Sequence, residues 1–232
     1  MAMPFYVSPE QMMQDKAEYA RKGIARGKSI VAIEYQDGIA LVAENPSRSL
    51  SKLSEIYDKI AFAGVGKYSE FENLRKVGIR YADVKGYSYS RHDVTAKSLA
   101  NAYSQAIGQV FTQEMKPLEI EILIVEAGDE GHPNEMYHLL YDGTITDYRR
   151  FVVMGGAKES AMQLLEESYR DNLTLTQAVD LCQKALLKTN GNKELTADTI
   201  EVAILNRKRG GRKFQRLQAA ELQAILEEAG SA

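Results

Sequence analysis

Gly27 to Asn45, GKSIVAIEYQDGIALVAEN, is the stretch around which the chain is organised. Ser29 to Tyr35 and Ile39 to Ala43 are rich in β-branched and apolar residues, and Gln36-Asp37-Gly38 places Asp-Gly turn chemistry between them. That pattern predicts a buried hairpin. Upstream, Ser8-Pro9-Glu10-Gln11 has the composition of a helix start: a capping hydroxyl, a proline suited to the first turn, and a glutamine able to reach back as in a capping box. Met13, Ala17, Ala20 and Ile24 then recur at helical spacing, with Asp15, Lys16, Glu18, Arg21 and Lys22 around them. So narrow a stripe of mostly small residues suits helix-on-helix or subunit packing.

The 232 residues are 44% hydrophobic and 26% charged, as in an ordinary soluble globular protein. A net charge of -3 shows no bulk preference for nucleic acid or an anionic membrane. Cys182 is the sole cysteine, so no internal disulfide is possible, which fits a reducing cytoplasm. Residues 1–7, MAMPFYV, are too short for a secretory signal, and no apolar run reaches the ~18 residues of a spanning helix. The expected location is the cytoplasm.

After the hairpin, Asn45-Pro46-Ser47-Arg48-Ser49 reads as a polar turn leading to a third strand, Lys59 to Gly66. Ser69-Glu70-Phe71-Glu72 has capping-box form, and Phe71, Leu74 and Ile79 make one face of the helix it opens. Leu99, Tyr103, Ala106, Ile107, Val110 and Phe111 mark a second helix, stopped by Pro117. Three strand patterns follow, Glu119 to Ala127, Met136 to Tyr141 and Phe151 to Met154, then helices at Glu159 to Tyr169 and Leu175 to Lys188, the latter opened by the box Thr174-Leu175-Thr176-Gln177. Thr199 to Leu205 and Arg212 to Leu217 read as two last strands, and Ala219 to Glu228 as a final helix. Paired helices between groups of strands argue against a parallel βαβ sheet. An α+β, four-layer αββα sandwich, two antiparallel sheets face to face with helices on each outer side, buries every apolar face. One domain over 1–232 is expected, with no internal repeat or linker: a tail at 1–7, a helix at 8–26, the sandwich at 27–217, and a C-terminal helix and tail at 218–232.

Gly27-Lys28-Ser29 looks like the end of a phosphate-binding loop, but Lys22 stands where that loop needs glycine, and the local order is helix then strand. The basic run Arg207-Lys208-Arg209-Gly210-Gly211-Arg212-Lys213 lacks interleaved aromatics and sits between strand patterns, so it reads as a solvated hairpin turn. His132 and His138, near Asp129, Glu130 and Glu135, match no closed metal-ligand set and read as loop or edge residues. His92 beside Asp93 reads as local capping. G-x-S-x-G is absent, and Cys182 shares an apolar helix face with Ala178, Val179, Ala185 and Leu186. No metal or other cofactor is expected.

Six stretches in order carry a resemblance: Ser8-Pro9-Glu10, Glu18-Tyr19-Ala20-Arg21, Gly27-Lys28-Ser29, Val42-Ala43-Glu44-Asn45, Tyr141-Asp142-Gly143 and Met154-Gly155-Gly156. Over essentially its whole length the chain resembles actinobacterial-type proteasome core-particle α subunits. The resemblance implies the N-terminal-nucleophile hydrolase fold with a helical extension, a ring of seven identical chains stacked on a ring of β subunits, and an ATPase ring docked outside to deliver unfolded proteins. In that family the β subunits cleave peptides with an N-terminal threonine whose own amine is the base; a free amine with a pKa near ~8 can do this, and an amide nitrogen cannot. Here Lys28 or Ser29 enters the first strand behind a capped helix. The expectation is a non-catalytic subunit with no nucleophile of its own; the alternative is a hydrolase that frees its nucleophile by removal of residues 1–28. The extension then acquires a gating role, with apolar Met1, Met3, Phe5, Tyr6 and Val7 gathered at the ring's pore. The family also binds the C-terminal carboxylate of its activator on a lysine between neighbouring α subunits. Lys52, which fits the actinobacterial pattern, and Lys59, which fits the archaeal one, are the two candidates.

Overall fold

The structure is a computed structural model that describes residues 8–47, 49–129, 131–191 and 193–230, with side chains described to Glu228. The hairpin forms as expected: β1 (Ile30–Tyr35) pairs antiparallel with β2 (Gly38–Glu44), and Tyr35 opposite Gly38 leaves Gln36-Asp37 as a two-residue loop. Gly38 opens β2 with φ 150°. It permits the close approach of β9 (Ile200–Asn206), since a Cβ there would collide with the Leu205 carbonyl oxygen.

Period-two alternation sends the hairpin's side chains to two different cores. Ile30, Ala32, Ile39, Leu41 and Ala43 face the second sheet, meeting Leu53, Ala61, Ala63, Val65, Leu123 and Val125. Val31, Ile33, Ala40 and Val42 face the opposite way, onto Ala161 and Leu165 of α4 (Lys158–Ser168) and Val179, Cys182 and Leu186 of α5 (Leu175–Thr189). The first sheet runs β10-β9-β2-β1-β8, with β8 at Phe151–Met154 and β10 at Phe214–Arg216. The second sheet runs β3-β4-β5-β6-β7: Leu53–Tyr57, Ile60–Gly66, Ile120–Glu126, Glu135–Leu139 and Ile145–Tyr148. Its outer face carries Phe62, Ile122 and Ile124 against Phe71 and Ala82 of α2 (Tyr68–Ser88) and Leu99, Tyr103 and Ile107 of α3 (Ala96–Gln113). All strand pairs are antiparallel. The result is the expected four-layer α+β sandwich, entered through α1 (Pro9–Ile24).

Several local details differ from the sequence reading. The strand predicted at Lys59 to Gly66 is the fourth, because β3 precedes it; β7 was also not anticipated. These two are the edges of the second sheet. Edge strands are short and tolerate polar side chains, and β3 also has an irregular register between Glu55 and Tyr57, which breaks the alternation that would have announced it. Ser69 does not open α2: the helix begins at Tyr68 behind Lys67, which makes no side-chain cap. Glu72, the carboxylate of the expected box, forks instead onto Arg75, with both bonds at 2.7 Å. The box at α5 forms in full, with Thr174 accepting from the Gln177 N–H at 3.3 Å and Gln177 from the Thr174 N–H at 3.0 Å. At α1 only half does, since Ser8 caps the Gln11 N–H while the Gln11 side chain donates to Asp15. A third helix, α6 (Ala219–Gly230), joins the outer layer, with Leu222 buried in the core it shares with α5. The basic run is the β9–β10 turn, pinned by Lys208 on Asp37 and Arg212 on Glu55.

Gly38→Ala should cost ~3 kcal/mol or more, because it combines a disfavoured backbone angle with a collision against a neighbouring strand. Equilibrium urea unfolding measures this as a lowered midpoint at unchanged slope.

Candidate functional site

The mouth of the inter-sheet layer lies where β1 begins and β8 ends. α1 covers it. Ala20 and Ile24 are buried in the inter-sheet core beside Ile30, Met154 and Tyr141, with Ala17 and Phe111 packed against them. Lys16, expected among the polar residues around the apolar stripe, is buried instead. Its ammonium donates to the carbonyls of Phe111 at 3.0 Å and Glu114 at 2.7 Å, the unpaired C-terminal end of α3. A cation at that end of a helix meets both orphan acceptors and the negative pole of the macrodipole.

Ser29, immediately before β1, is 4% exposed. Its hydroxyl donates to the Gly156 carbonyl at 3.3 Å, and its carbonyl accepts from the Glu44 N–H at 3.1 Å. Its nitrogen is an amide joined to Lys28. Met154-Gly155-Gly156 closes over it, with Gly155 at φ 101° close against the Ser29 side chain. Beside them is a cleft of about 360 Å³ lined in part by Arg21, Ile24, Glu121, Tyr141 and Lys158.

His138, read from sequence as a loop or edge residue, is 3% exposed on β6 and places Nε2 3.2 Å from a carboxylate oxygen of Glu121. The same oxygen accepts from the Gly155 N–H at 3.3 Å. Burial pushes the Glu121 carboxyl up, but His138, Lys158 and the Gly155 N–H together outweigh it and hold its pKa below the usual range. The signal in the sequence was Met136-x-His138-x-Leu140, an alternation that puts His138 on the inward face of its strand. Among the described residues no group of histidine, cysteine and carboxylate side chains is placed to hold a metal. Cys182 is fully buried, and burial pushes its thiol well above the usual range.

The two candidate lysines have different surroundings. Lys59 is held by Glu126 at 2.9 Å and Asp129 at 3.3 Å. Burial alone would lower its pKa, but those carboxylates outweigh burial and raise it. Lys52 is half-buried and donates to the Lys28 carbonyl at 2.7 Å, while Lys28 itself pairs with Glu44 at 2.8 Å. Burial, opposed by Glu44 and reinforced by Lys28, lowers the Lys52 amine to about 8. Met1, Met3, Phe5, Tyr6 and Val7 lie outside the described residues.

Residues 24–205 match the proteasome subunit family. The protein named proteasome subunit alpha of Thermobifida fusca (strain YX) is 51% identical over 230 residues, spanning 99% of this chain and 92% of the relative. Those of Streptosporangium roseum and Kineococcus radiotolerans are 53% and 51% identical, spanning 100% and 97% of this chain and 89% and 98% of their own. This chain belongs to the α type of that family. As a proteasome α-type chain it assembles with other subunits into the proteasome complex.

Lys16→Met should release α1 from α3 and leave two carbonyls without their cation. We expect a loss of ~1–2 kcal/mol and faster hydrogen exchange confined to residues 9–24, read by mass spectrometry.

Proposed function

We propose that this chain is the non-catalytic α subunit of the proteasome core particle's outer heptameric rings: it frames the particle, gates the admission of unfolded proteins, and docks an ATPase ring. The observation that carries this is Ser29, whose nitrogen is an amide joined to the segment that follows α1, and whose hydroxyl is buried on Gly156. An N-terminal nucleophile needs the free amine as its base, so proteolysis belongs to the β subunits. No helix among the described residues is long and apolar enough to cross a membrane, and we place the chain in the cytoplasm as a single α-type domain over 1–232.

Gating falls to residues 1–7, which precede the Ser8 cap of α1. Seven copies of α1, each fixed to its own α3 through Lys16, would bring seven apolar tails to one axis. Deleting residues 2–7 should raise hydrolysis of peptides and unfolded proteins by the assembled particle several-fold, measured with a fluorogenic peptide and with casein; unchanged rates would contradict a gate.

Docking falls to Lys52. Lys59 already has two carboxylate partners, and an arriving carboxylate would compete with both. The Lys52 ammonium bonds a neutral carbonyl and has charge to offer. Lys52→Ala should abolish stimulation of the particle by its ATPase ring while Lys59→Ala preserves it. The docking cation is protonated below its pKa and neutral above it, so binding of the ATPase tail should weaken as pH rises through about 8, well before an ordinary lysine near ~10.4 would discharge. A flat profile to pH 10 would contradict Lys52 as the site.

A further inference from the structure

β3 is an edge strand, and the described residues leading into it, Asn45 to Ser47 and Ser49 to Lys52, are not part of either sheet. A side chain on such a segment is presented accurately only where its backbone is held. Here the hold comes from the other sheet. Glu201, the second residue of β9, has a side chain 10% exposed. One of its oxygens accepts the Lys52 N–H at 2.9 Å and the Asn45 amide at 2.8 Å. The other accepts the Leu53 N–H at 3.3 Å and pairs with Arg216. Arg216 donates in turn to the Leu53 carbonyl at 2.6 Å, and the Gly64 N–H donates to the Lys52 carbonyl at 3.1 Å. Asn45 also donates to the Leu50 carbonyl at 2.7 Å and accepts from the Ser47 N–H at 3.1 Å.

The amides on both sides of the Lys52 α-carbon therefore rest on one carboxylate. This fixes the backbone angles of that residue and with them the direction in which its side chain leaves. The neighbouring charges are matched so that they do not capture the lysine: Arg216 neutralises Glu201, and Lys28 pairs with Glu44. We infer that Glu201 is the positioning residue of the tail-docking site, aiming the Lys52 ammonium at the incoming carboxylate by gripping the two amides that flank it. The inference rests on the docking role given to Lys52 above.

The test uses the core particle assembled with β subunits and a peptide copying the ATPase tail, with its C-terminally amidated form as the control for the carboxylate. Glu201→Gln keeps the shape but removes the charge that holds both amides and Arg216. Binding should weaken about tenfold. Its pH profile should also shift upward, because a loosened Lys52 moves toward water and leaves the burial and the Lys28 charge that lower its amine, which outweighs the loss of Glu44. Asn45→Ala loosens the same segment without touching the ion pair and should weaken binding about threefold. Glu55→Gln is the matched control: it cuts a different inter-sheet ion pair on the same strand, to Arg212, and should leave binding within about twofold.

Equal losses from Glu201→Gln and Glu55→Gln would overturn the inference, since they would show general loosening of β3. Binding by Glu201→Gln at the native affinity and pH profile would overturn it as well. If Glu201→Gln does not assemble, Asn45→Ala decides by the same criteria. Loss of binding in Lys52→Ala alongside native binding in Glu201→Gln would overturn this inference alone, whereas native binding in Lys52→Ala would remove the docking role and this inference together.

Discussion

The contact on which the rest depends is α1 across the mouth of the inter-sheet layer. Two kinds of force hold it. Ala20 and Ile24 bury apolar surface in the core between the sheets, and Lys16 supplies a cation to the terminal carbonyls of α3. Neither is chemically unusual, yet together they seat α1 against the inter-sheet core and the end of α3. Ser29 then has the environment of a core hydroxyl, bonded to Gly156 and shielded from water. An amide nitrogen and a buried hydroxyl are two separate obstacles to nucleophilic chemistry, and the first follows from placing a helix ahead of β1.

Polar side chains also reach from each sheet toward the other at both ends of the sandwich. At the mouth end, Glu201 of the first sheet takes the amides of Lys52 and Leu53 at the edge of the second. At the opposite end, Asn134, just before β6 of the second sheet, donates to Glu34 at 3.0 Å and the Gly38 carbonyl at 3.4 Å, and accepts from the Gly128 N–H and Arg207 at 3.0 and 3.2 Å. Apolar contacts alone are not directional and would let two sheets slide. Buried polar groups that lose their partners cost far more than they contribute when paired, so such clamps favour one relative register of the two sheets. The same clamp that fixes register at the mouth also fixes the backbone of Lys52, which joins fold stability to the docking geometry proposed for that lysine.

Much of this architecture was legible in the sequence. The central strands β1, β2, β5 and β9 are long and apolar, and the Asp37-Gly38 turn and the Thr174 box carry their own local chemistry, so local pattern and global fold agree. The misses share a cause. β3 and β7 are edges, where polar residues are tolerated and alternation fades. Lys16, Glu121, His138 and Glu201 are polar side chains whose burial is decided by partners distant in the chain: 95 to 98 residues for Lys16, 17 for the Glu121–His138 pair, and 148 to 156 for Glu201. The family resemblance nominated both Lys52 and Lys59. Only their neighbours separate them: two carboxylates at one and a backbone carbonyl at the other.

The central claim is that this chain contributes shape and passage while its partners contribute chemistry. The most direct measurement is peptide hydrolysis by three preparations: the purified chain alone, the core particle assembled from native α and β chains, and the particle carrying Ser29→Ala in its α chains. The account predicts no hydrolysis by the chain alone and equal rates from the two particles, because Ser29 is buried and joined through an amide. Hydrolysis by the chain alone, lost on Ser29→Ala, would contradict it.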